Sequence, residues 1–425
     1  MKTRILLIVM LAILGLSGKA TNVSGGIFSN TTWILVNSPY IVTDTVVVFP
    51  GVTLTIEAGV VVKFDTNQYL EIRQAQLIAI GTAFDSITFT SNVITSNNSF
   101  YPGIYLNGGS MITQINYCSF SNANKAVYTS GFSYTLNIKN STFQNNYYGL
   151  WFPSTLNVIN IDSCNFYNHG WGGILGYGHL TIDHCEFSNN LQGAVLEGDA
   201  VMKNCIVDSN NYGILSVHGD TIINNQIKYN GTGIYLQNGG FPLAYVFQNI
   251  IEYNSTGIET FNSNNIIICN RICGNTSLGV YYNVPNNNSS IQNNYWCTTD
   301  STTIASYIYD GYDNINLGLL SFMPIDTNQC SPQIVTLTNE KIIEKNSLLL
   351  YPNPFSTQTI LTIQGTYHNP TLLIYNLLGQ EVRSIPIGTS KQVTIPRGNL
   401  PAGMYFYKLI EDTKEVIGIG KLLVE

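Results

Sequence analysis

Five ionisable side chains fall within a short span of the chain: His179, Glu197, Asp199, His218 and Asp220. Paired carboxylates beside an imidazole suit acid–base hydrolysis, and carboxylate groups also hold hard cations. Two features weigh against assigning them a reaction. A polysaccharide lyase needs a strong base beside a cation-neutralised uronate, and no Lys or Arg accompanies this group on the same side of the repeat. A hydrolase built on paired Asp and a Gly-His-Gly run would show both, and neither occurs. Acids and His are also ordinary on solvated turns. Catalysis is left unassigned, with these five as the candidates. No cofactor is expected, and calcium has no specific support.

A second set recurs at one position of a repeated phrase: Tyr105, Tyr128, Trp151, Leu175, Val195, Leu215, Tyr235, Glu259 and Tyr281. Aromatic faces stack on sugar rings while excluding water, which makes Tyr105, Tyr128, Trp151, Tyr235 and Tyr281 the candidate ligand-binding residues. The alternative is a ladder that only stabilises neighbouring strands by cross-strand pairing. Both readings stay open at this level.

Eight cysteines form a third set. Cys118, Cys164, Cys185 and Cys205 share one slot and read as small buried thiols. Cys273 and Cys297 fall near one another on successive repeats and are the disulfide candidates. Cys269 with Cys273 lacks the further Cys or His of a tetrahedral metal set, so no metal is expected.

The elements that position these residues are set by a repeat. From about residue 110 to 300 one phrase returns: an apolar residue, a small polar residue or Cys, a spacer, a bulky apolar residue, an Asn pair, then Gly-Ile. The small polar slot reads Cys118, Ser141, Cys164, Cys185, Cys205, Asn225, Asn249, Asn270 and Asn293, at steps of 20 to 24 residues. The bulky slot reads Phe120, Phe143, Phe166, Phe187, Val207, Ile227, Ile251, Ile272 and Tyr295, and the glycine slot runs from Gly149 to Gly279. Such a period, without helical apolar spacing, fits one turn of a coil of short strands. Stacking at ~4.8 Å puts like positions above one another, and an inward Asn then bonds its counterpart one coil away. A leucine-rich repeat would want fixed Leu and a helix per unit, and both are missing. Residues 45 to 106 alternate in the same way less regularly and read as opening coils, with 27 to 43 as a cap. Ile304, Ile308 and Tyr309 are expected to form a short amphipathic cap at the far end.

Composition bounds the rest. Only 10% of residues are charged and 44% are hydrophobic, with 37 Gly, 27 Tyr and 18 Phe, so an all-β chain with frequent turns is expected. A formal net charge of −7 argues against nucleic acid as partner. Lys2 and Arg4, the apolar run Ile5 to Leu16 and Gly18-Lys19-Ala20 read as an export signal, residues 1–20, cleaved near Ala20.

The stretch GVTLTIEAGVVVKF, then LIAIGT and ITFTS, with NNYW and IYD near the close, resembles the pectin-lyase-like right-handed parallel β-helix proteins over roughly residues 45 to 325. That family includes lyases, hydrolases, epimerases and non-catalytic surface proteins, so the resemblance implies fold more than activity. Residues 326–346 read as a linker. Beyond it, Tyr351-Pro352-Asn353-Pro354, Ile374-Tyr375-Asn376, Gly379-Gln380, Leu400, Gly403-Met404-Tyr405 and Lys421-Leu422-Leu423 resemble a type A sorting domain of the type IX secretion system, across residues 347–425. The resemblance implies an immunoglobulin-like β-sandwich, handling by the type IX machinery, removal of the domain, and attachment to surface lipopolysaccharide or release. The expected whole is a β-helix spanning 21–325 plus this sandwich, monomeric, outside the cell or on the outer-membrane surface. Carbohydrate binding or adhesion is its favoured role. A polysaccharide lyase or glycosidase, and a bare structural spacer, are the alternatives.

Overall fold

The computed structural model describes residues 20–93, 100–109, 112–129, 134–154, 158–237, 243–327, 348–363, 369–376, 380–388, 390–410 and 416–424. Residues 1–19 of the export signal and Gly379 lie outside these, as do residues 328–346 of the expected linker. The chain forms two units, Met1–Leu337 and Thr338–Glu425.

The first unit is a coil of short parallel strands, three to a turn. Face 1 runs from Val61–Phe64 through Cys118–Ser121 to Arg271–Cys273. Face 2 runs from Leu70–Arg73 through Lys125–Thr129 to Leu278–Tyr282 and Ile308–Tyr309. Face 3 is an eleven-stranded sheet from Thr31–Trp33 to Ile266–Ile268. Each strand pairs with the strand one turn away, as Phe120 with Phe143 and Phe143 with Phe166. The short burial patterns alternate as period two requires, for example buried Phe between half-buried neighbours in Thr142–Gln144.

Like residues meet because the register is fixed. Phe89, Phe120, Phe143, Phe166 and Phe187 form one continuous inner stack with ring centroids 4.7 to 4.9 Å apart. Beside it runs the small polar slot, most of whose occupants do the same work. The shared pattern is a bond donated to the carbonyl two residues back and one accepted from the backbone N–H of the preceding turn. Ser141 Oγ donates to Lys139 O at 2.6 Å, the Cys205 thiol to Lys203 O at 3.1 Å and Asn249 Nδ2 to Phe247 O at 3.1 Å. In return Ser141 Oγ accepts from Cys118 N, Cys205 Sγ from Cys185 N and Asn249 Oδ1 from Asn225 N. A thiol, a hydroxyl and an amide therefore exchange freely there. Cys118, Cys164, Cys185 and Cys205 are buried free thiols, and burial drives Cys118, Cys164 and Cys205 well above the usual thiol range.

The Asn pair of the repeat divides two tasks between adjacent residues. The first Asn takes a left-handed backbone at the turn, as Asn189 at φ 56°, and the second points inward. Asn190, Asn210, Asn230, Asn254 and Asn275 thereby form a second buried ladder, each Oδ1 accepting from the N–H one turn earlier. The glycine column lies against it. A Cβ on Gly193 would sit 2.4 Å from Gly213 O, so no larger residue fits at this backbone approach.

Three expectations need correction. The last rung of the polar slot is Asn294, which accepts from Asn270 N, while Asn293 takes the left-handed turn at φ 57°. The bulky slot there is accordingly Trp296, buried, rather than Tyr295. Residues 27 to 43 supply Thr31–Trp33 of face 3 and part of Tyr40–Val48, which pairs with both faces 1 and 2, so they belong to the coil. At the far end a helix, Ser301–Ser306, starts on Asp300 and buries Ile304, but Ile308–Tyr309 is a strand continuing face 2. Cys273 and Cys297 are joined by a disulfide with Cα atoms 5.7 Å apart, and Cys269 is also disulfide-bonded.

The second unit is a small all-β sandwich of two antiparallel sheets. One holds Leu348–Tyr351, Gln358–Ile363 and Gln392–Pro396; the other holds Glu381–Pro386, Thr371–Tyr375, Gly403–Ile410 and Val416–Val424. Leu361, Ile374, Ile395, Leu409 and Leu422 are among its core. Asn353 ties the Tyr-Pro-Asn-Pro segment to the last strand: its Nδ2 donates to Lys421 O at 3.1 Å and its Oδ1 accepts from Leu423 N at 2.7 Å. Tyr405 donates to Pro401 O at 2.9 Å, while Tyr351 is exposed.

Candidate functional site

The outward column of face 2 is built by strand register alone. Tyr105 pairs with Tyr128, then Trp151, Leu175, Val195, Leu215, Tyr235, Glu259 and Tyr281 in turn. Glu71 precedes the column and Tyr309 follows it. The aliphatic middle separates two aromatic stretches.

In the upper stretch the rings of Tyr105 and Tyr128 are stacked at 5.0 Å and 12°. The Lys125 ammonium lies 3.7 Å from the Trp151 ring centroid and 5.5 Å from that of Tyr128. Burial holds this ammonium below the usual lysine range and disfavours ionisation of the Tyr128 phenol. The ring faces therefore engage each other and the cation, leaving edges and hydroxyls for solvent. Beside them Glu71 is buried, and accepts from Arg73 Nε at 2.7 Å, Arg73 Nη2 at 2.8 Å and Asn107 Nδ2 at 2.7 Å. The Arg73 bonds hold its carboxyl below the usual range against the opposing effect of burial. In the lower stretch Tyr235 leans on Phe261 and Tyr212, and Tyr281 meets Tyr309 edge to face at 5.2 Å. Burial raises the Glu259 carboxyl between them. Lys125, Glu71 and Arg73 were absent from the sequence reading. Lys125 carried no usable signal: three residues before Tyr128 a regular strand points it to the opposite side, and only the two successive buried residues Ala126 and Val127 return it to the same one.

The acid–imidazole group occupies the turns between faces 2 and 3 and is dispersed there. Glu197 ends the strand Gln192–Glu197 and bonds Tyr177, raising that phenol to about 12. His179 and Asp199 are exposed. Asp220 is fully buried: it accepts from Gly198 N at 3.3 Å, Ala200 N at 3.0 Å and Ser216 Oγ at 2.7 Å, binding one turn to the next. Burial lifts its carboxyl to about 6, against these bonds and the field of His218. His218 lines a shallow cleft with Gly219, Leu236, Gln237 and Asn262, its Nδ1 without a partner. No hydrogen bond joins any two of the five among the described residues. Glu252, Cys273 and Cys297 also converge, but the sulfurs are bonded to each other and the carboxylate takes Lys228 and Arg271.

Comparison with known proteins agrees with this architecture. Residues 102–244 match the right-handed β-helix region family, residues 25–137 the pectate-lyase-like β-helix domain, and residues 349–425 the secretion system C-terminal sorting domain. Solved structures of two mutant forms of the periplasmic alginate epimerase AlgG are similar, at 14% and 15% identity and TM-scores of 0.42 and 0.41, over 67% of this chain and 78% and 76% of theirs. No curated protein matches the chain. The sorting domain directs export by the type IX machinery to the cell surface or the exterior. The chain is a pectin-lyase-like right-handed parallel β-helix protein carrying a C-terminal type IX secretion sorting domain.

Proposed function

We propose that the exported β-helix binds carbohydrate along face 2, as a displayed or released glycan-binding rod. The observation that supports this is the upper stretch of the column. There Tyr105, Tyr128 and Trp151 stand in register with Lys125 set against two of the rings, beside Arg73, Glu71 and Asn107. Aromatic side chains with a few oriented polar groups beside them are the usual lining of a small-ligand site. The stacked geometry refines the reading. A sugar here meets ring edges, phenol hydroxyls and the Lys125 ammonium rather than a free aromatic face.

The test is binding of the secreted protein to immobilised acidic and neutral glycans, against the double variant Tyr128→Ala with Trp151→Ala. Loss of roughly tenfold or more in affinity is expected, the scale of two desolvated aromatic contacts. Full retention by the double variant sinks the proposal. Appearance of new reducing ends or unsaturated uronates would replace binding with turnover on this rod.

A further inference from the structure

Where face 1 turns into face 2, eight successive coils each place one residue in the left-handed region. The series is Asn122, Asn145, Asn168, Asn189, Ser209, Tyr229, Tyr253 and Gly274, with φ between 54° and 62°. Asn and Gly suit that conformation, and a bulky aromatic does not. Yet Tyr229 and Tyr253 occupy two successive rungs and bury little: they are 58% and 49% exposed. Their rings are stacked at 5.5 Å and 14°. Tyr253 also lies over the next rung, where a Cβ on Gly274 would come within 2.9 Å of its ring. On the other side stands Ser209, whose short side chain is folded back onto Asp208 at 2.6 Å. The stack therefore ends in an uncovered face of Tyr229 above a step left by Ser209. Local strain at two rings that stay half exposed points to a use outside the fold.

The charges beside this step are balanced. Lys228 and Arg271 both pair with Glu252, and Asp208 stands in register with Lys228. We infer that Tyr229 and Tyr253 form a second saccharide site, for a neutral hexopyranose chain, separate from the face 2 column. One pyranose face stacks on Tyr229 over the Ser209 step, and Asp208 accepts from its hydroxyls. Charge balance removes the attraction for uronates that an unpaired cation would create.

The chemistry gives an unusual test, because removing the site should not harm the rod. Tyr229→Asn with Tyr253→Asn installs the residue that four other rungs carry. Calorimetric titration of the intact secreted protein with neutral hexasaccharides, cello-, laminari- and manno-, is compared with a hexauronate. Wild type is expected to bind at least one neutral chain, and the double Asn variant to lose roughly tenfold for that chain while its hexauronate binding is unchanged. Its thermal midpoint should equal or exceed that of wild type, and Tyr229→Phe, which keeps the ring face, should bind as wild type. Unchanged neutral-chain affinity in the double Asn variant, a lowered midpoint, no neutral ligand for wild type, or a loss of hexauronate binding in that variant as large as the neutral loss would each overturn the inference. Because Tyr128 and Trp151 are untouched in this variant, failure here and failure of the face 2 reading are separate results.

Discussion

Replacing Asn230 with Leu isolates what the inner amide ladder contributes. Asn230 is buried at 3% exposure, and its Oδ1 accepts from Asn210 N at 2.9 Å and Asn210 Nδ2 at 3.0 Å. Its Nδ2 donates toward Val207 O at 3.0 Å, Lys228 O at 2.9 Å and Asn254 Oδ1 at 3.0 Å. Leucine fills nearly the same volume, so cavity formation is minor, but the Asn210 backbone N–H loses its acceptor in a dry interior. One orphaned donor, together with two carbonyls stripped of a donor, is expected to cost about 3–5 kcal/mol. For a rod of this size melting as one unit, that lowers the midpoint by roughly 5–8 °C. Differential scanning calorimetry measures it, and amide exchange at Asn210 locates it. The companion Asn230→Asp keeps both acceptor roles and loses the donors, facing the oxygens of Val207, Lys228 and Asn254. Its carboxyl should titrate above the ordinary value, so the damage is absent in acid and grows as pH rises through that raised value. A Leu variant within about 1 kcal/mol of wild type would refute the ladder as a stabilising element.

Three further outcomes are expected. His169 replaces Asn in the same ladder, its Nδ1 accepting from Asn146 N and its buried Nε2 unpartnered, and burial lowers its pKa from 6.5 to about 4. The stability it permits is present above 6.5 and lost as pH falls toward 4, by about 3 kcal/mol, and His169→Asn should abolish that loss in pH-dependent melts. Asp220 has the opposite sign: lifted from 3.8 to about 6, its contribution is intact below 3.8 and lost as pH rises through 6, so Asp220→Asn should gain about 3 kcal/mol at pH 7.5 and little at pH 3.5. Finally, Asn353→Ala cuts both bonds to the last strand and should destabilise the sorting domain by about 1–2 kcal/mol, read as a lower melting midpoint, with more of the chain retained in the periplasm; unaltered melting and export would dismiss the clamp.

Much of the coil was legible because it is written in a period. The polar slot from Cys118 to Asn270 and the whole outward column needed only residue type and spacing, since stacked strands convert a sequence interval directly into a contact. The last rung was misread by one residue because Asn293 and Asn294 are chemically identical and only the left-handed turn separates their roles. The opening coils were read late because Thr31–Trp33 has three residues and no Asn or Gly marker beside it. The acid–imidazole group shows the opposite limit. Spacing placed Asp220 near His218, but whether a carboxylate faces solvent or caps a neighbouring turn depends on the bend between strands, which no period encodes. Lys125 over Trp151 was hidden for a similar reason, as a long side chain crosses rungs and register describes only Cα positions.

The exceptions to the repeat carry more functional information than its instances. A ladder position accepts whatever donates to one carbonyl and accepts from one N–H, so Cys, Ser and Asn alternate there without consequence. A turn position at φ near 57° accepts Asn, Ser or Gly for equally local reasons. Two kinds of departure then separate. His169 breaks its ladder inward, where nothing outside the protein can reach it, and its effect is confined to stability. Tyr229 and Tyr253 break their column outward, where the fold gains little burial and the solvent gains an aromatic surface. A coil whose interior fully specifies its shape leaves its exterior free to change, so the site of action is to be sought where an exposed residue is one the turn itself disfavours.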